Sequence, residues 1–266
     1  MKISKTALWL SVIDGILVLV ASFAGLFLKH TYARETISYA LQSVGQDIEN
    51  SVAAVALLIT VYFVNKGSIK AFLVWLGVLL ALIYSYAIYA FAVHFNSLFL
   101  VYVAILGLSF YTLVGSLTHL HLDSLQPNFA ANTKARPVSV FLLVVAILFY
   151  LQWFSEDIPA LVTGKIPPGV MENGLLTNPV HVLDLGLLLP AMIITAILLW
   201  RRKLLGYFLA LPLLVFSILT GIGILAIFVV MSMKGMPTSL IVELLFAVIV
   251  LVSLVLSVLY IREVKE

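Results

Sequence analysis

His181 and Asp184 stand three residues apart, a spacing that puts an imidazole and a carboxylate on one face of a helix, where they can hydrogen-bond or hold a ligand jointly. The stretch that carries them, Thr177–Ala210, reads TNPVHVLDLGLLLPAMIITAILLWRRKLLGYFLA. Its mouth is polar, with Asn178, Pro179, His181 and Asp184; an apolar run follows, broken by Pro190 and closed by Trp200 and the triplet Arg201, Arg202, Lys203. Glu243 stands about one and a half turns into the last apolar run, and Glu49 enters the second from the same side. Tyr86 and Tyr89 share a helix face, and Tyr102 lies near the outer end of the fourth run. In one common orientation these residues gather in the outer third of a helical bundle. Carboxylates with phenol rings suit an organic cation, through charge and cation–π attraction. His181, Asp184 and Glu243 would also suit a divalent metal such as zinc or manganese. A plainer reading stands beside both. Tyr and His are common at headgroup depth, and Asn178-Pro179 with Asp184 is also a way to start a helix.

Other chemistry is sparse. Asp14 lies within the first apolar run beside Gly15, either as a cation or proton site or as a carboxylate satisfied by a hydroxyl on a neighbouring helix. In the sequence HLHLD, His119 and Asp123 share a helical face while His121 points away, so the group reads as a solvated helix terminus rather than a chelate. No glycine-rich phosphate loop, H-E-x-x-H or G-x-S-x-G occurs, and no lysine stands mid-helix as a retinal anchor. Cysteine is absent, which removes disulfides, thiolate metal sites and thiol catalysis. Nothing points to haem, flavin or nucleotide. No basic block is interleaved with aromatics, so nucleic acid is set aside as a partner. A midplane pair of charges, the usual mark of ion coupling, is also missing from this reading.

The elements that must position these residues follow from composition. The 266 residues are 63% hydrophobic and 10% charged, with a mean hydropathy of +1.18. So little charge leaves lipid as the solvent for most of the surface. Eight apolar runs suffice to cross a bilayer, at about 6–28, 48–64, 71–93, 97–117, 137–155, 181–200, 204–232 and 238–260. The expected fold is an all-α bundle of about eight transmembrane helices in a single integral membrane domain. The first run is too long for a signal peptide and contains Asp14, so it is expected to remain uncleaved. With both termini in the cytoplasm, the inner side holds Lys2, Lys5, Lys66, Lys70, Lys134, Arg136, Arg201, Arg202, Lys203, Arg262 and Lys265; the outer side holds only Lys29, Arg34, Lys165 and Lys234. That asymmetry sets the orientation expected in a cell membrane. Trp9, Trp75 and Trp200 then fall near the inner interface and Trp153 near the outer one.

Between the first two runs, Ile37, Leu41, Val44 and Ile48 recur at helical spacing, which predicts a short amphipathic helix on the outer surface. The second long outer loop, 155–180, is rich in Pro and Gly and reads as turns. Pro190 and Pro212 are expected to kink their helices. The order of runs and loops repeats between 1–118 and 137–266, with four crossings in each half, and so predicts a tandem parallel repeat. Glu49 lies 16 residues before Asn65 and Asp184 lies 17 before Arg201, which makes the two acids pseudo-equivalent.

Thr177–Ala210, with its TNPVHVLDL, LLLP and LLWRRK…GY elements, resembles a recurrent segment of an uncharacterised family of prokaryotic multi-pass integral membrane proteins. The first-half segment around HFNSLFLVYVAILGLSFYTLVG is similar to that family's corresponding stretch, and together the two cover about a quarter of the chain. The resemblance implies a wholly membrane-embedded architecture and carries no activity. Three functions fit the residues. The first is binding or transport of a small solute or cation at the outer face. The second is a non-catalytic scaffold, assembly or sensor subunit. The third is an intramembrane enzyme acting on lipid, with His181 as base and Asp184 as its orienter.

Overall fold

The computed structural model describes residues 3–129 and 134–266; Lys2 and part of the central 119–137 link lie outside the described residues. Among the described residues eight helices are long and apolar enough to span a membrane: α1 Lys5–Phe27, α2 Ile37–Asn65, α3 Ile69–Ala92, α4 Phe99–Thr118, α5 Ala135–Thr163, α6 Pro179–Trp200, α7 Leu204–Met233 and α8 Leu240–Glu263. Among the described residues there is no sheet, only an isolated antiparallel bridge between Phe129 and Val264. The fold is that of a multi-pass helical membrane protein.

Local chemistry sets where the helices begin. Ser4, Thr36 and Ser68 each turn a side-chain oxygen back to accept a backbone N–H in the first turn of α1, α2 and α3. Asn178 does so twice at the start of α6, for Val180 and His181. The cap at Thr36 has a consequence for the fold. The amphipathic segment and the second apolar run are one continuous helix of 29 residues, not a surface helix followed by a span. At ~1.5 Å per residue α2 is about 43 Å long and overshoots a ~30 Å hydrocarbon core. Its periodic apolar face continues onto α1 and α7, so no break separates the two pieces.

The 155–180 stretch is also more regular than expected. Helix α5 runs through Pro159 to Thr163 and ends on Gly164 with φ of 65°; a single turn at Pro168–Glu172 follows. Pro159 lies in the last turns, where one lost backbone hydrogen bond is tolerated.

Helices α1 to α4 pack as a closed ring of neighbours, α1 against α2 and α4, and α3 against α2 and α4. Helices α5 to α8 follow the same order, but the α5–α8 seam is thin. Helix α7 joins the groups by packing on both α2 and α3. Two glycines permit that approach: a side chain at Gly45 would collide with the backbone of Ile227, and one at Gly77 with the Pro212 carbonyl and Val215. Pro212 thus sits at a helix crossing inside an unbroken α7.

The ends of the bundle are tied separately. At one end Glu266 accepts from the Ser68 hydroxyl (2.7 Å) and the Ile69 N–H (2.9 Å), beside the Phe129–Val264 bridge. At the other, Arg34 donates to the Phe95 carbonyl (2.7 Å), Glu35 accepts from the His94 backbone (2.7 Å), and Gln42 donates to Asn173 (2.9 Å). Two tryptophans turn into the bundle. Trp75 is fully buried and its indole N–H donates to Ser11 (3.1 Å); Trp153 turns inward to Asp184. Each buried indole N–H thereby finds its acceptor within the bundle.

Candidate functional site

Asp184 is positioned by a local fault in its helix. Residues Asp184–Leu188 form a π turn, in which the Leu189 N–H reaches the Asp184 carbonyl. Pro190 follows at once and has no N–H to give, so widening the turn before it releases the proline from the regular ladder. The expected kink at Pro190 therefore takes the form of this wide turn, which presses the Asp184 side chain into the bundle. Its carboxylate accepts from the Tyr84 hydroxyl of α3 (3.0 Å) and the Trp153 indole N–H of α5 (2.8 Å).

That carboxylate borders a cavity of ≈ 160 Å³ between the two helix groups. Gln46, Tyr84, Trp153, Asp184, Ser217 and Thr220 supply polar groups to its wall; Phe149, Phe216 and Phe246 with aliphatic side chains supply the rest. On the α2 wall Gln46 donates to Glu49 (2.5 Å) and to Ser85 (3.1 Å).

His181 lies one turn toward the end of the bundle, yet it does not face Asp184. Its Nδ1–H donates to the Asp157 carboxylate (3.0 and 3.1 Å), Glu156 stands 3.9 Å from Nε2, and the ring stacks on Trp153 with centroids 4.2 Å apart. Trp153 thus lies between imidazole and carboxylate. The orienter of His181 is Asp157, not Asp184, which corrects the base–orienter pairing expected from spacing. Asn178 is engaged as the helix cap.

Glu243 does not join the group. It is half-buried in the first turn of α8 and borders no part of the cavity, whereas Phe246 one turn on does. Among the described residues no group of three or more His, Cys, Asp or Glu side chains could hold a metal ion, so the expected His181, Asp184, Glu243 triad does not form. His119, His121 and Asp123 are exposed.

The remaining expected residues belong to a second place. Glu49 is buried at 1% exposure against α7, near Gly223, not at the bundle mouth. Tyr86, Tyr89 and Tyr102 cluster inside α1–α4, with centroids 5.1–6.0 Å apart. They surround Asp47, a residue the sequence reading passed over. Asp47 accepts from the Tyr32 hydroxyl (2.6 Å) and lies 3.0 Å from the Tyr89 hydroxyl. Burial pushes the Tyr32 phenol well above its ordinary range and keeps it a donor. Asp14 accepts from Ser109 of α4 (2.5 Å), the hydroxyl partner its position called for.

Four carboxylates, Asp14, Asp47, Glu49 and Asp184, are therefore buried. Among the described residues the ion pairs involve only histidines, and none of the four has a Lys or Arg partner. Buried carboxylates without a fixed cation hold a proton or take a mobile cation. Comparison with family models, curated proteins and solved structures gives no match.

Proposed function

We propose that this protein binds a small organic cation with an apolar body in the cavity between its two helix groups and moves it across a cell membrane. The observation that carries this reading is Asp184: a buried carboxylate without a cationic partner, on a π turn, at the edge of an aromatic-walled cavity. A protonated amine would add the missing charge at Asp184. Phe149, Trp153 and Tyr84 would offer ring faces to it, and the aliphatic wall would receive the body. Wide turns and proline-flanked segments are places where helices bend, as a carrier requires.

The finer architecture belongs to the same proposal. The two groups form a tandem 4+4 parallel repeat. Helix neighbours follow the same order in each, and three pairs share an offset of 135 residues: Glu49 with Asp184, Ile69 with Leu204, and Gly77 with Pro212. The last pair meets at the α3–α7 crossing, where a two-fold axis along the membrane normal would pass. Both termini are cytoplasmic. The Lys and Arg excess supports this, as does the joining of the 66–69 loop, Phe129 and the 264–266 segment at one end. Tyr84, Trp153 and Asp184 then face the extracytoplasmic half.

The test is thermal unfolding of the protein in lipid nanodiscs against a panel of organic cations and matched neutral amphiphiles. At least one cation is expected to raise the midpoint saturably, with the effect abolished by Asp184→Asn and by Thr220→Trp, which fills the cavity. Stabilisation that survives both substitutions, or that neutral analogues reproduce in full, rejects the reading.

A further inference from the structure

The interior of α1–α4 is a separate polar site that the cavity does not use. Tyr89 has one phenolic hydrogen and two acceptors within reach, the Ser43 carbonyl at 2.9 Å and Asp47 Oδ1 at 3.0 Å. Only one can receive it. A proton on Asp47 completes the count: Tyr89 then donates to Ser43 and accepts from Asp47. When that proton leaves, Tyr89 can turn its hydrogen to the carboxylate, while Tyr32 continues to donate to Oδ2. The site is therefore built for both protonation states of Asp47.

From Asp47 the polar groups continue along the seam. Tyr86 lies between Asp47 and Asp14, with the Ser22 hydroxyl beside it. Asn50 stands one turn from Asp47 on α2. Asp14, Ser22, Asn50 and Tyr86 are all 0% exposed, and Tyr102 1%. Yet Asp14 Oδ1, Ser22 Oγ, both amide atoms of Asn50 and the hydroxyls of Tyr86 and Tyr102 have no protein partner among the described residues. Ser22 lies beside Tyr86 and Asn50 beside Asp47, so these groups neighbour one another without closing a full set of hydrogen bonds, and water is the usual partner for such atoms.

The groups facing the two carboxylates are Ser22 of α1, Tyr32 of the loop, Asn50 of α2, Tyr86 and Tyr89 of α3, and Tyr102 and Ser109 of α4. None is cationic. Glu35, the next acid, pairs with His94 at the end of the bundle.

We propose that this seam is a proton-binding track in which Asp47 and Asp14 each hold an exchangeable proton. Water held by Tyr86, Ser22, Asn50 and Tyr102 carries protons between them and the end where Tyr32 lies. The track runs toward the 28–36 loop, where Tyr32 is 7% exposed. Beyond Asp14, Ser11 donates to the Ala7 carbonyl and accepts from Trp75, and both Ser11 and Trp75 are fully buried. Protons are thus taken up and released at one face, not conducted through.

Infrared difference spectroscopy of the protein in nanodiscs tests this, in water and deuterium oxide, for the unsubstituted chain and for Asp47→Asn, Asp14→Asn and Tyr86→Phe. Protonated-carboxyl bands are expected at neutral pH, one component missing in each aspartate variant. Tyr86→Phe should keep both bands and slow deuterium exchange of the Asp14 component several-fold, leaving that of Asp47 unchanged. If Asp47→Asn does not fold, isotope-labelled aspartate in the unsubstituted protein reads the same bands. Ionised carboxylates at both positions, bands that disappear on adding sodium or potassium ions, or equal exchange in Tyr86→Phe overturn the proposal. These bands are read without cavity ligand, so their outcome is separate from that of the cation panel.

Discussion

Asp47 and Asp184 are the same chemical object in two settings. Each is a buried aspartate near two aromatic donors, Tyr32 and Tyr89 for one, Tyr84 and Trp153 for the other. Asp47 is enclosed at 0% exposure, and a side chain at Gly25 would already run into its carboxylate. Asp184 stands on a widened turn with open space on one side. The difference teaches that carboxylate burial alone does not define a ligand site. Enclosure leaves room for a proton or a water, whereas an adjoining cavity admits a molecule.

The largest effect should come from breaking the enclosed member. Asp47→Ala strands the Tyr32 hydroxyl, at roughly 1–3 kcal/mol for a donor left unsatisfied, and leaves a cavity besides, while Tyr89 keeps the Ser43 carbonyl as its acceptor. The measurement is chemical or thermal unfolding in nanodiscs, and a loss under about 1 kcal/mol would show that water repairs the site as easily as in the cavity. Next is the contact that joins the two settings. Gly45→Ala forces the backbone of Ile227 away and should cost about 1–3 kcal/mol by the same measurement. Asp184→Ala comes third, at about 1 kcal/mol, since water from the cavity can reach Tyr84 and Trp153; its effect on cation binding should far exceed its effect on stability. The smallest is Gly107→Ala on α4, where nothing stands within 4 Å of an added methyl; a change within about 0.5 kcal/mol is expected.

Much of this contrast was hidden in the sequence for an identifiable reason. Hydropathy marked eight crossings because lipid demands it, and all eight helices are present. The same measure placed the second crossing too late. Gln46, Asp47, Glu49 and Asn50 are four polar residues within five positions, so the apolar window was placed at 48–64, with Gln46 and Asp47 left outside it. Thr36 was the available signal: a capping residue before a helical period marks the start of α2, and from there the polar cluster lies inside the helix. Asp47 and Tyr89 then come within reach across α2 and α3. The partners of Asp184 were less legible. Tyr84 and Trp153 come from other helices, and their distance to Asp184 depends on packing angles that periodicity does not encode. The spacing of His181 and Asp184 predicts a shared helix face, but the Trp153 indole between them sends each to its own partner.

The widened turn at Asp184–Leu188 is, in effect, one surplus residue. Excising Gly186, whose surroundings are empty, would return the strand of peptide to 3.6-residue winding and swing everything upstream through about 100°. His181 would leave Asp157 while Trp200 stayed in place. A one-codon deletion would thus turn the Asn178–Leu183 segment away from the helix that follows it.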